Sequence, residues 1–449
     1  MKLLKVDTIQ KAREKTLSHV KRWRLKTETL PLNEIQNRIL AEDVYASCDI
    51  PSFRRSTVDG YAVVSKDTSG AGEAIPVFLK QVGAVSMGKA ANFSIKSGEC
   101  AYVPTGGMLP EGADAVVMIE YTEQIVMSNE QRAKNNEQRI MNNKQRIGCG
   151  EQNTENRENS NIVAAVYESV AYGTGMIQIG EDFKNGDMLL GKGTFIRPQE
   201  IGSLSAAGKT LVSVFTSLKV GIISTGDELV TPGDNPALGE VRDINTNSLK
   251  ALAEKYGYNV ISVQVLGDDE ALLETAAKDA AALCDIVLIS GGSSQGEKDF
   301  TKKIIDRISK PGVFTHGLAV KPGKPTILGW DEESQTLFAG LPGHPVSALM
   351  IFELLFGPSF IKELYQIPHS SFLLSRSLTA RICCNIPGSP GKSLCIPVIL
   401  SSRDGIYSAQ PVFGKAGMIS ILTRADGYII IDINKEGLNK DDIVQVFLF

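Results

Sequence analysis

The sequence predicts a multidomain α/β protein in which a mostly parallel sheet is joined by a β-rich insertion domain and a small C-terminal β-barrel. Strand-like and helix-like segments alternate from Lys219 to about residue 365, as in parallel sheets with crossover helices. Short strands and glycine-bearing turns fill 74–121, and similar text returns after Ser370. The length of 449 residues exceeds what one ordinary core accommodates.

Four domains are expected along the chain. They are an N-terminal linking domain at 1–48 and 173–217, a β-rich insertion domain at 49–172, an α/β domain at 218–368 and a β-barrel at 369–449. Residues 129–156 form four tandem copies of a polar seven-residue unit that begins, in its first copy, N-E-Q-R. One apolar position per unit cannot build a coiled-coil seam, so we expect 128–161 to be a disordered surface loop.

Composition limits the classes of partner and compartment. The formal net charge is −4, and no long basic run is present, which disfavours duplex nucleic acid as a partner. Seven dispersed cysteines without a C-x-x-C pair are typical of reduced thiols in a cytosol. The N-terminus lacks the apolar core of a signal peptide, and we find no stretch of about 20 apolar residues. A cytoplasmic protein without membrane or nucleic-acid contacts is predicted.

The N-terminal elements are predicted to be mainly helical. Asp7 or Thr8 can cap a first helix whose apolar residues lie near helical spacing. Pro31 can open a second helix that extends to Ile39. After the insertion domain, Pro198 can start a further helix before the α/β region begins.

The α/β region then repeats one pattern. Buried-strand runs are predicted at 220–224, 260–265 and 285–290, and Asn245 can cap the helix that follows the first of them. Pro345 can open a long apolar helix near the end of this region.

The stretch from Asp285 to Ile308 is the centre of the predicted α/β domain. The strand D-I-V-L-I-S is followed by the loop G-G-S-S-Q-G-E-K-D and then by a helical pattern. Glycines allow close approach of a ligand, serines supply hydrogen bonds, and Glu297 and Asp299 lie at the far end of the loop. An anion on the loop amides and helix N-terminus would need a cation between itself and these carboxylates.

Two further loops follow strands of the same predicted sheet. T-G-D-E begins at Thr225 and L-P-G-H-P begins at Leu341, so both should open at the edge that carries the loop from Gly291. Lys321 and Lys324 enter nearby through K-P-G-K-P. Two lysines stiffened by prolines make a cationic corner that suits an oxyanion.

Two motifs have competing interpretations. Asp59 in an Asp-Gly pair is either an ordinary turn aspartate or a functional carboxylate beside arginines. The loop after Ser290 also satisfies G-x-S-x-G, the nucleophile elbow of serine hydrolases. A hydrolase would need His344 as its base, but this residue is held between Gly343 and Pro345, which disfavours that interpretation.

Seven motifs, in order, carry a resemblance to a known family. They are S-T-V-D-G-Y-A-V from Ser56, P-T-G-G-M-L-P-E-G-A-D-A-V-V from Pro104, G-E-D from Gly180, S-T-G-D-E-L from Ser224, S-G-G-S-S-Q-G-E-K-D-F-T from Ser290, K-P-G-K-P from Lys321 and L-P-G-H-P-V-S from Leu341. Together they resemble the molybdopterin molybdotransferase family, which includes MoeA and the gephyrin E domain. The resemblance extends from about residue 7 to the C-terminus, apart from the repeats.

The resemblance implies an activity and a set of site residues. The implied reaction inserts molybdate into adenylylated molybdopterin and releases AMP with the help of Mg²⁺, in an elongated homodimer of four-domain subunits. The implied catalytic residues are Asp59, Thr105, Glu181, Asp182, Asp227 and Asp299, and the implied metal ligands are Glu228 and Asp299. The implied cofactor-binding residues are Gly291, Gly292, Ser293, Ser294, Lys321, Lys324, Pro342, Gly343, Pro345 and Ser347. The first four catalytic residues would come from the partner subunit.

The chain departs from the family pattern at three places. Met176 to Ile179 stand where arginines often precede G-E-D, G-K-S-L-C-I-P from Gly391 replaces G-R-x-E-F-x-R, and His344 replaces a common asparagine. A non-catalytic molybdopterin-binding or scaffold paralogue is therefore the alternative interpretation. The adenylylating enzyme of the same pathway, whose fold resembles 219–365 alone, is disfavoured by the additional domains. That enzyme and molybdoenzymes that accept the cofactor are possible partners.

Overall fold

A computed structural model describes residues 6–21, 23, 25–126, 162–291, 300–367 and 377–449 of the chain. These residues belong to two compact units. The first unit contains Met1–Asp43, Leu190–Ser205 and Lys209–Phe449, and the second contains Val44–Leu189 and Ala206–Gly208. The seven-residue repeats lie outside the described residues, and the division into four domains stays a prediction.

The chain before residue 219 contains two described α-helices and twelve strands. The helices are α1 (Ile9–Val20) and α2 (Pro198–Ala206). The strands are β1 (Thr27–Pro31), β2 (Val44–Tyr45), β3 (Arg55–Ser56), β4 (Gly60–Val63), β5 (Val77–Ala84), β6 (Glu99–Val103), β7 (Ala115–Met118), β8 (Thr122–Val126), β9 (Ile162–Val166), β10 (Met176–Ile177), β11 (Met188–Leu190) and β12 (Leu211–Phe215). Short 3₁₀ helices cover Leu32–Glu34, Ser65–Thr68 and Ile119–Tyr121.

The helix predicted after Pro31 is wrong. Pro31 ends β1, which pairs antiparallel with β12 so that Pro31 lies opposite Leu211, and only a 3₁₀ turn follows. Ile35 and Ile39 are nevertheless buried. The four-residue spacing of Ile35 and Ile39 suggested one face of a helix. In the structure, an irregular segment places both side chains in the core.

The main sheet of the second unit is a six-stranded mixed sheet in the order β7-β4-β6-β5-β9-β8. Both faces of this sheet are covered by apolar residues. In β4, Ala62 belongs to one buried cluster, while Tyr61 and Val63 belong to the other. This period-two division explains why β4 reads as a continuous apolar run in the sequence.

The α/β domain extends from β13 through the helix α7. Its strands are β13 (Lys219–Thr225), β14 (Leu229–Val230), β15 (Val241–Arg242), β16 (Asn259–Leu266), β17 (Ile286–Ser290), β18 (Pro311–His316), β19 (Val320–Lys321), β20 (Ile327–Asp331) and β21 (Thr336–Leu341). Its helices are α3 (Asn245–Lys255), α4 (Glu270–Leu283), α5 (Phe300–Ile308), α6 (Pro345–Phe356) and α7 (Pro358–Leu364). The main sheet has the order β16-β13-β17-β21-β20-β18. Its first four strands are parallel, and only β20 runs in the opposite direction, antiparallel to both of its neighbours, β21 and β18. This confirms a mostly parallel sheet.

Helices cover both faces of this sheet. Ile222 and Leu288 pack in a buried cluster with residues of α3 and α6, whereas Ile223 and Val287 pack with residues of α4 and α5. The prediction that the chain has no apolar stretch of about 20 residues is wrong, because the run Pro345–Leu364 is long and apolar enough to cross a membrane, with a mean hydropathy of 1.3. Its most apolar part is, however, 78% buried inside the protein. Its burial identifies α6 and α7 as core helices of this domain.

The C-terminal region confirms the predicted small β-barrel. It contains β22 (Ser377–Ile382), β23 (Ile386–Pro387), β24 (Ser393–Arg403), β25 (Ile406–Pro411), β26 (Gly427–Ile431), β27 (Gly437–Leu438), β28 (Ile443–Leu448) and the short helix α8 (Ser420–Thr423). The order β24-β25-β22-β28-β26 closes on itself because β26 also pairs with β24. Strand β19 of the α/β domain adds to the edge of β24, so the two regions share one hydrogen-bonded sheet.

Candidate functional site

Three loops meet where β13, β17 and β21 end. The parallel register places Ser224 beside Ser290 and Ser290 beside Leu341. Gly291 follows with a φ of +109°, and a Cβ on this residue would lie 2.2 Å from the carbonyl oxygen of Thr225. Only glycine fits this position, because a side chain would be both strained and blocked. The sequence therefore brings the ends of β13 and β17 into direct backbone contact.

Asn245 connects two of these loops, a role that the sequence analysis missed. Its Nδ2 donates to Ser290 Oγ at 2.8 Å and to the Gly343 carbonyl at 2.8 Å. Ile244 occupies the N-cap position, so Asn245 is the first residue of α3 and not its cap. In the sequence, Asn245 is recognisable only as a polar residue at the start of a helix that follows a strand. A helix cap has the same pattern, so the sequence does not distinguish the two roles.

The T-G-D-E loop presents two carboxylates. Asp227 Oδ1 accepts the backbone N–H of Asp268 at 2.8 Å, and Glu228 folds back so that its Oε2 lies 2.7 Å from where a Cβ on Gly226 would stand. Both side chains belong to exposed residues. Among the described residues, no three His, Cys, Asp or Glu side chains are grouped to hold a metal ion by themselves. Mg²⁺ usually takes one or two carboxylates and completes its shell with water and phosphate oxygens, so these carboxylates fit that chemistry.

The K-P-G-K-P segment is held between the barrel and α6. Lys321 ends β19, where it lies opposite Leu394 of β24. Gly323 packs so closely on α6 that an added Cβ would lie 2.3 Å from Ile351 Cδ1. Ser347 lies one turn before Ile351 on the same helix face and is 4% exposed. Both lysines therefore belong to a segment that is fixed against the helix carrying Ser347.

The L-P-G-H-P loop leads into the N-terminus of α6. Pro345 is the first residue of this helix, which confirms the prediction, and Pro342 is buried. The Val346 N–H donates to the Ala416 carbonyl at 3.1 Å, and the His344 ring lies beside Gly417. The barrel thus contacts this helix start as well as the lysine segment.

Asp59 and Thr105 are adjacent in the second unit. The Thr105 N–H donates to Asp59 Oδ1 at 2.9 Å, and the Gly106 N–H donates to the Ser56 carbonyl at 2.8 Å. Both Asp59 and Thr105 are exposed residues. The Asp-Gly turn and the T-G-G loop therefore lie side by side on the surface. Asp59 and Thr105 were both predicted as site residues, and the structure brings these two together.

Glu181 and Asp182 form a separate turn of the same unit. Glu181 Oε2 accepts the Gln178 N–H at 2.7 Å, and the Asp182 N–H donates to the Ile50 carbonyl at 3.1 Å. Both acidic residues are exposed. Their described contacts are with residues 50 and 178, and no described hydrogen bond joins them to Asp59 or Thr105.

Four predicted site residues lie outside the described part of the chain. They are Gly292, Ser293, Ser294 and Asp299. The loop with the G-x-S-x-G pattern lies there too.

Comparisons with known proteins match most of the chain to one family. Three family models match in succession: the MoeA N-terminal region (domain I and II) at 7–208, the probable molybdopterin binding domain at 221–362 and the MoeA C-terminal region (domain IV) at 379–449. A molybdopterin molybdenumtransferase of Haemophilus influenzae is 34% identical, over 83% of this chain and 82% of its own length. A molybdopterin biosynthesis protein of Methanocaldococcus jannaschii is 30% identical, over 94% and 92%.

A solved structure agrees with this assignment. The MoeA molybdopterin biosynthesis protein of Pyrococcus horikoshii OT3 is 28% identical and superposes with a TM-score of 0.75, covering 99% of this chain and 100% of its own. Three findings agree: the identities to the relatives, the order of the three family regions along the chain, and the similarity of the fold. The chain therefore belongs to the molybdopterin molybdotransferase family, of which MoeA is a member.

Proposed function

We propose that this protein is a molybdopterin molybdotransferase, which inserts molybdate into adenylylated molybdopterin and releases AMP. The observation that carries the proposal is the arrangement at the end of the parallel sheet. The α/β domain contains three features that suit this reaction. They are the loop that begins with the tightly packed Gly291, the exposed carboxylates of Asp227 and Glu228, and the lysine segment that is fixed on α6. The names of the relatives support the same reaction.

The residues at this edge have complementary tasks in the proposed reaction. Lys321 and Lys324 neutralise the molybdate oxyanion, and Ser347 adds a hydroxyl beside the helix N-terminus, where anions are favoured. The loop that begins at Gly291 would supply backbone N–H groups and serine hydroxyls to the pterin. Release of AMP requires that a P–O bond of the pyrophosphate breaks. The phosphorus that loses this bond gains an oxygen from water or from molybdate.

Mg²⁺ is part of the proposal. Glu228 and Asp299 would hold it, and it would neutralise charge on the pyrophosphate during cleavage. Asp227 is held by the Asp268 N–H beside Glu228 and would keep the acidic loop in position. We also propose a cytoplasmic homodimer in which the acidic residues of the second unit complete the site of the partner subunit.

AMP release tests the proposal most directly. The protein is incubated with adenylylated molybdopterin, molybdate and Mg²⁺, and AMP is followed by chromatography. We expect AMP release that depends on molybdate. A protein that retained the adenylylated substrate without turnover would instead be the binding or scaffold paralogue.

Asp299→Asn separates a metal ligand from a helix cap, since α5 begins at the next residue. Asparagine caps a helix as well as aspartate but ligates Mg²⁺ poorly. We expect a rate of AMP release reduced by about 10² or more and an unchanged melting temperature. Asp269→Asn is the matched control, because Asp269 caps α4 through the N–H groups of Ala271 and Leu272. Normal AMP release by Asp299→Asn would contradict the catalytic assignment.

A further inference from the structure

Two consecutive cysteines connect β22 to β23 in the C-terminal barrel. Cys383 and Cys384 follow the end of β22 and, with Asn385, lead into β23. Cys383 is exposed, Cys384 is half-buried, and both are free thiols. The proposed reaction uses neither of them. Two neighbouring thiols that solvent can reach are able to act together as one bidentate sulfur ligand.

Hydrogen bonds hold the backbone of this connection. The Cys383 N–H donates to the Ala409 carbonyl of β25 at 3.1 Å. Two residues further on, Asn385 Oδ1 accepts the Lys440 N–H at 2.7 Å. The backbone positions from which the two cysteine side chains extend are therefore fixed before any ligand arrives. A ligand that bonds to both sulfurs then loses little free energy to ordering of the chain.

The two thiols also lie close enough to interact with each other. Burial raises the pKa of the Cys383 thiol, and the charge of Cys384 and a hydrogen bond between the two thiols raise this pKa further. Lys440 and a backbone hydrogen bond oppose these effects only in part. The Cys383 thiol is therefore mainly protonated at neutral pH. A ligand that suits this pair reacts with thiols and takes up their protons.

Covalent geometry disfavours a disulfide within the pair. The peptide bond between the two cysteines is trans, and consecutive Cα atoms are then about 3.8 Å apart. Disulfides usually join Cα atoms that are about 4.4–6.8 Å apart. The pair therefore suits a larger centre, which bonds to both sulfurs and holds them further apart than an S–S bond does.

Structural zinc fits the pair poorly as that centre. Zinc in structural sites usually takes four protein ligands. Within the ranges that the structure describes, no three His, Cys, Asp or Glu side chains are grouped to hold a metal ion. The centre must therefore be satisfied by two sulfur ligands from the protein.

We propose that Cys383 and Cys384 form a binding site for thiophilic metalloids, with trivalent arsenic as the ligand class. In the reaction with an arsenoxide, R–As=O, two S–H bonds break and two As–S bonds form. The two protons leave with the oxygen as water, and arsenic stays trivalent, so the step requires no oxidant or reductant. The site shares no residue with the proposed molybdotransferase reaction and does not depend on it.

The other cysteines of the described chain lack one of the two properties that define this site. Cys100, Cys284 and Cys395 are buried. Cys48 is exposed, but neither of its neighbours in the sequence is a cysteine. Cys48 is therefore the matched control, since it offers a single accessible thiol without a second sulfur beside it.

Phenylarsine oxide tests the inference on the reduced full-length protein. Cys149, which lies outside the described residues, is replaced by serine throughout so that it supplies no second sulfur. Intact-mass spectrometry should show one phenylarsenic group per chain. This group should persist in excess 2-mercaptoethanol and be removed by 2,3-dimercaptopropanol, because a chelate resists a competitor with a single thiol. Cys383→Ser should raise the dissociation constant by about 10² or more, and Cys48→Ser should leave it unchanged.

Cys384→Ser is the second variant and should weaken binding as much as Cys383→Ser does. Melting temperatures without the arsenical separate loss of the site from loss of the fold. Because the Cys383 side chain is exposed, Cys383→Ser should melt at the wild-type temperature. Wild-type affinity in either serine variant overturns the inference, as does loss of binding in Cys48→Ser. Binding to the wild type that excess 2-mercaptoethanol reverses also overturns it.

Discussion

Lys321 and Lys324 form the cationic corner through which the proposed reaction would take up molybdate. Prolines flank both residues, and neither side chain has an ion-pair partner among the described residues. Their charge is therefore available to a small oxyanion, and little side-chain packing is lost when they are truncated.

The double variant Lys321→Ala and Lys324→Ala should raise the molybdate concentration needed for half-maximal AMP release by about tenfold or more. AMP affinity should stay near the wild-type value. The control is Lys278→Ala, which removes a lysine that pairs with Glu274 on α4 at 2.7 Å. If AMP affinity collapsed while the molybdate dependence was unchanged, the lysines would instead bind phosphate.

Glu353 is a buried carboxylate of α6 that the proposed reaction does not use. It is 7% exposed, and the Tyr256 hydroxyl lies 2.8 and 2.7 Å from its two oxygens. Burial raises the pKa of Glu353, and the Tyr256 hydrogen bond and the Lys255 charge oppose this only in part. The folded state therefore favours the protonated form. This contribution to stability is complete below the unfolded pKa and is lost as pH rises through the folded pKa.

Glu353→Gln should stabilise the protein increasingly as pH rises from 4 to 8. Glutamine keeps a partner for Tyr256 and carries no charge that must be buried. Melting temperatures of wild type and variant across this range provide the measurement. A difference between them that does not change with pH would contradict the raised pKa.

At the scale of elements, Asp7, which lies just before α1, fixes the chain that leads to Lys321. The Asp7 N–H donates to the Gly317 carbonyl at 3.0 Å, and the Ala319 N–H donates to the Asp7 carbonyl at 2.7 Å. The Asp7 carboxylate also binds Lys15 Nζ at 2.5 Å and Thr315 Oγ1 at 2.8 Å. The segment before β19 is thus held by Asp7, while β24 pairs with β19 itself.

Asp7→Asn should lower the free energy of unfolding at pH 7 by about 1–2 kcal/mol, because the buried Asp7 carboxylate loses its charged hydrogen bond to the partly exposed Lys15. Burial alone would raise the pKa of Asp7, but Lys15, Thr315 and Lys11 outweigh it and lower the pKa. The stabilisation is therefore present above the unfolded pKa and lost as pH falls through the folded pKa. Urea unfolding at pH 7 and pH 3 measures this, and an equal loss at both values would contradict it.

The elements of the α/β domain could be predicted because their signals are local and strong. The apolar runs of β13 and β17 and the proline that opens α6 are readable without tertiary context. The segment after Pro31 could not be predicted, since β1 is defined by its pairing with β12, which lies far along the chain. Asn245 was assigned a cap for the same reason: its contacts with Ser290 and Gly343 are long-range.

At the scale of the whole molecule, the proposed homodimer predicts a particle of twice the chain mass. The chain has a mass of 48.4 kDa. Light scattering at micromolar concentration should therefore give about 97 kDa, the product of two chains of that mass. A monomer under these conditions would contradict a site shared between subunits.

The chain is also predicted to tolerate removal of the repeats. Val126 at the end of β8 lies directly opposite Ile162 at the start of β9, so the ends of 127–161 are cross-strand neighbours. Replacing 129–156 with a short Gly-Ser linker should change the free energy of unfolding by less than about 2 kcal/mol, because loop-closure entropy varies slowly with length. AMP release should stay near wild type, and a large loss of either property would show that the repeats pack on the protein.

The pairing of Val126 with Ile162 has a consequence for the gene. Each repeat is encoded by seven whole codons, so a copy gained or lost by slippage during replication preserves the reading frame. Because β8 and β9 pair directly from Val126 and Ile162 onward, we expect their register to stay the same when the number of copies between them changes. Descendants of this gene are therefore expected to differ in copy number at this point while the encoded sheet stays constant.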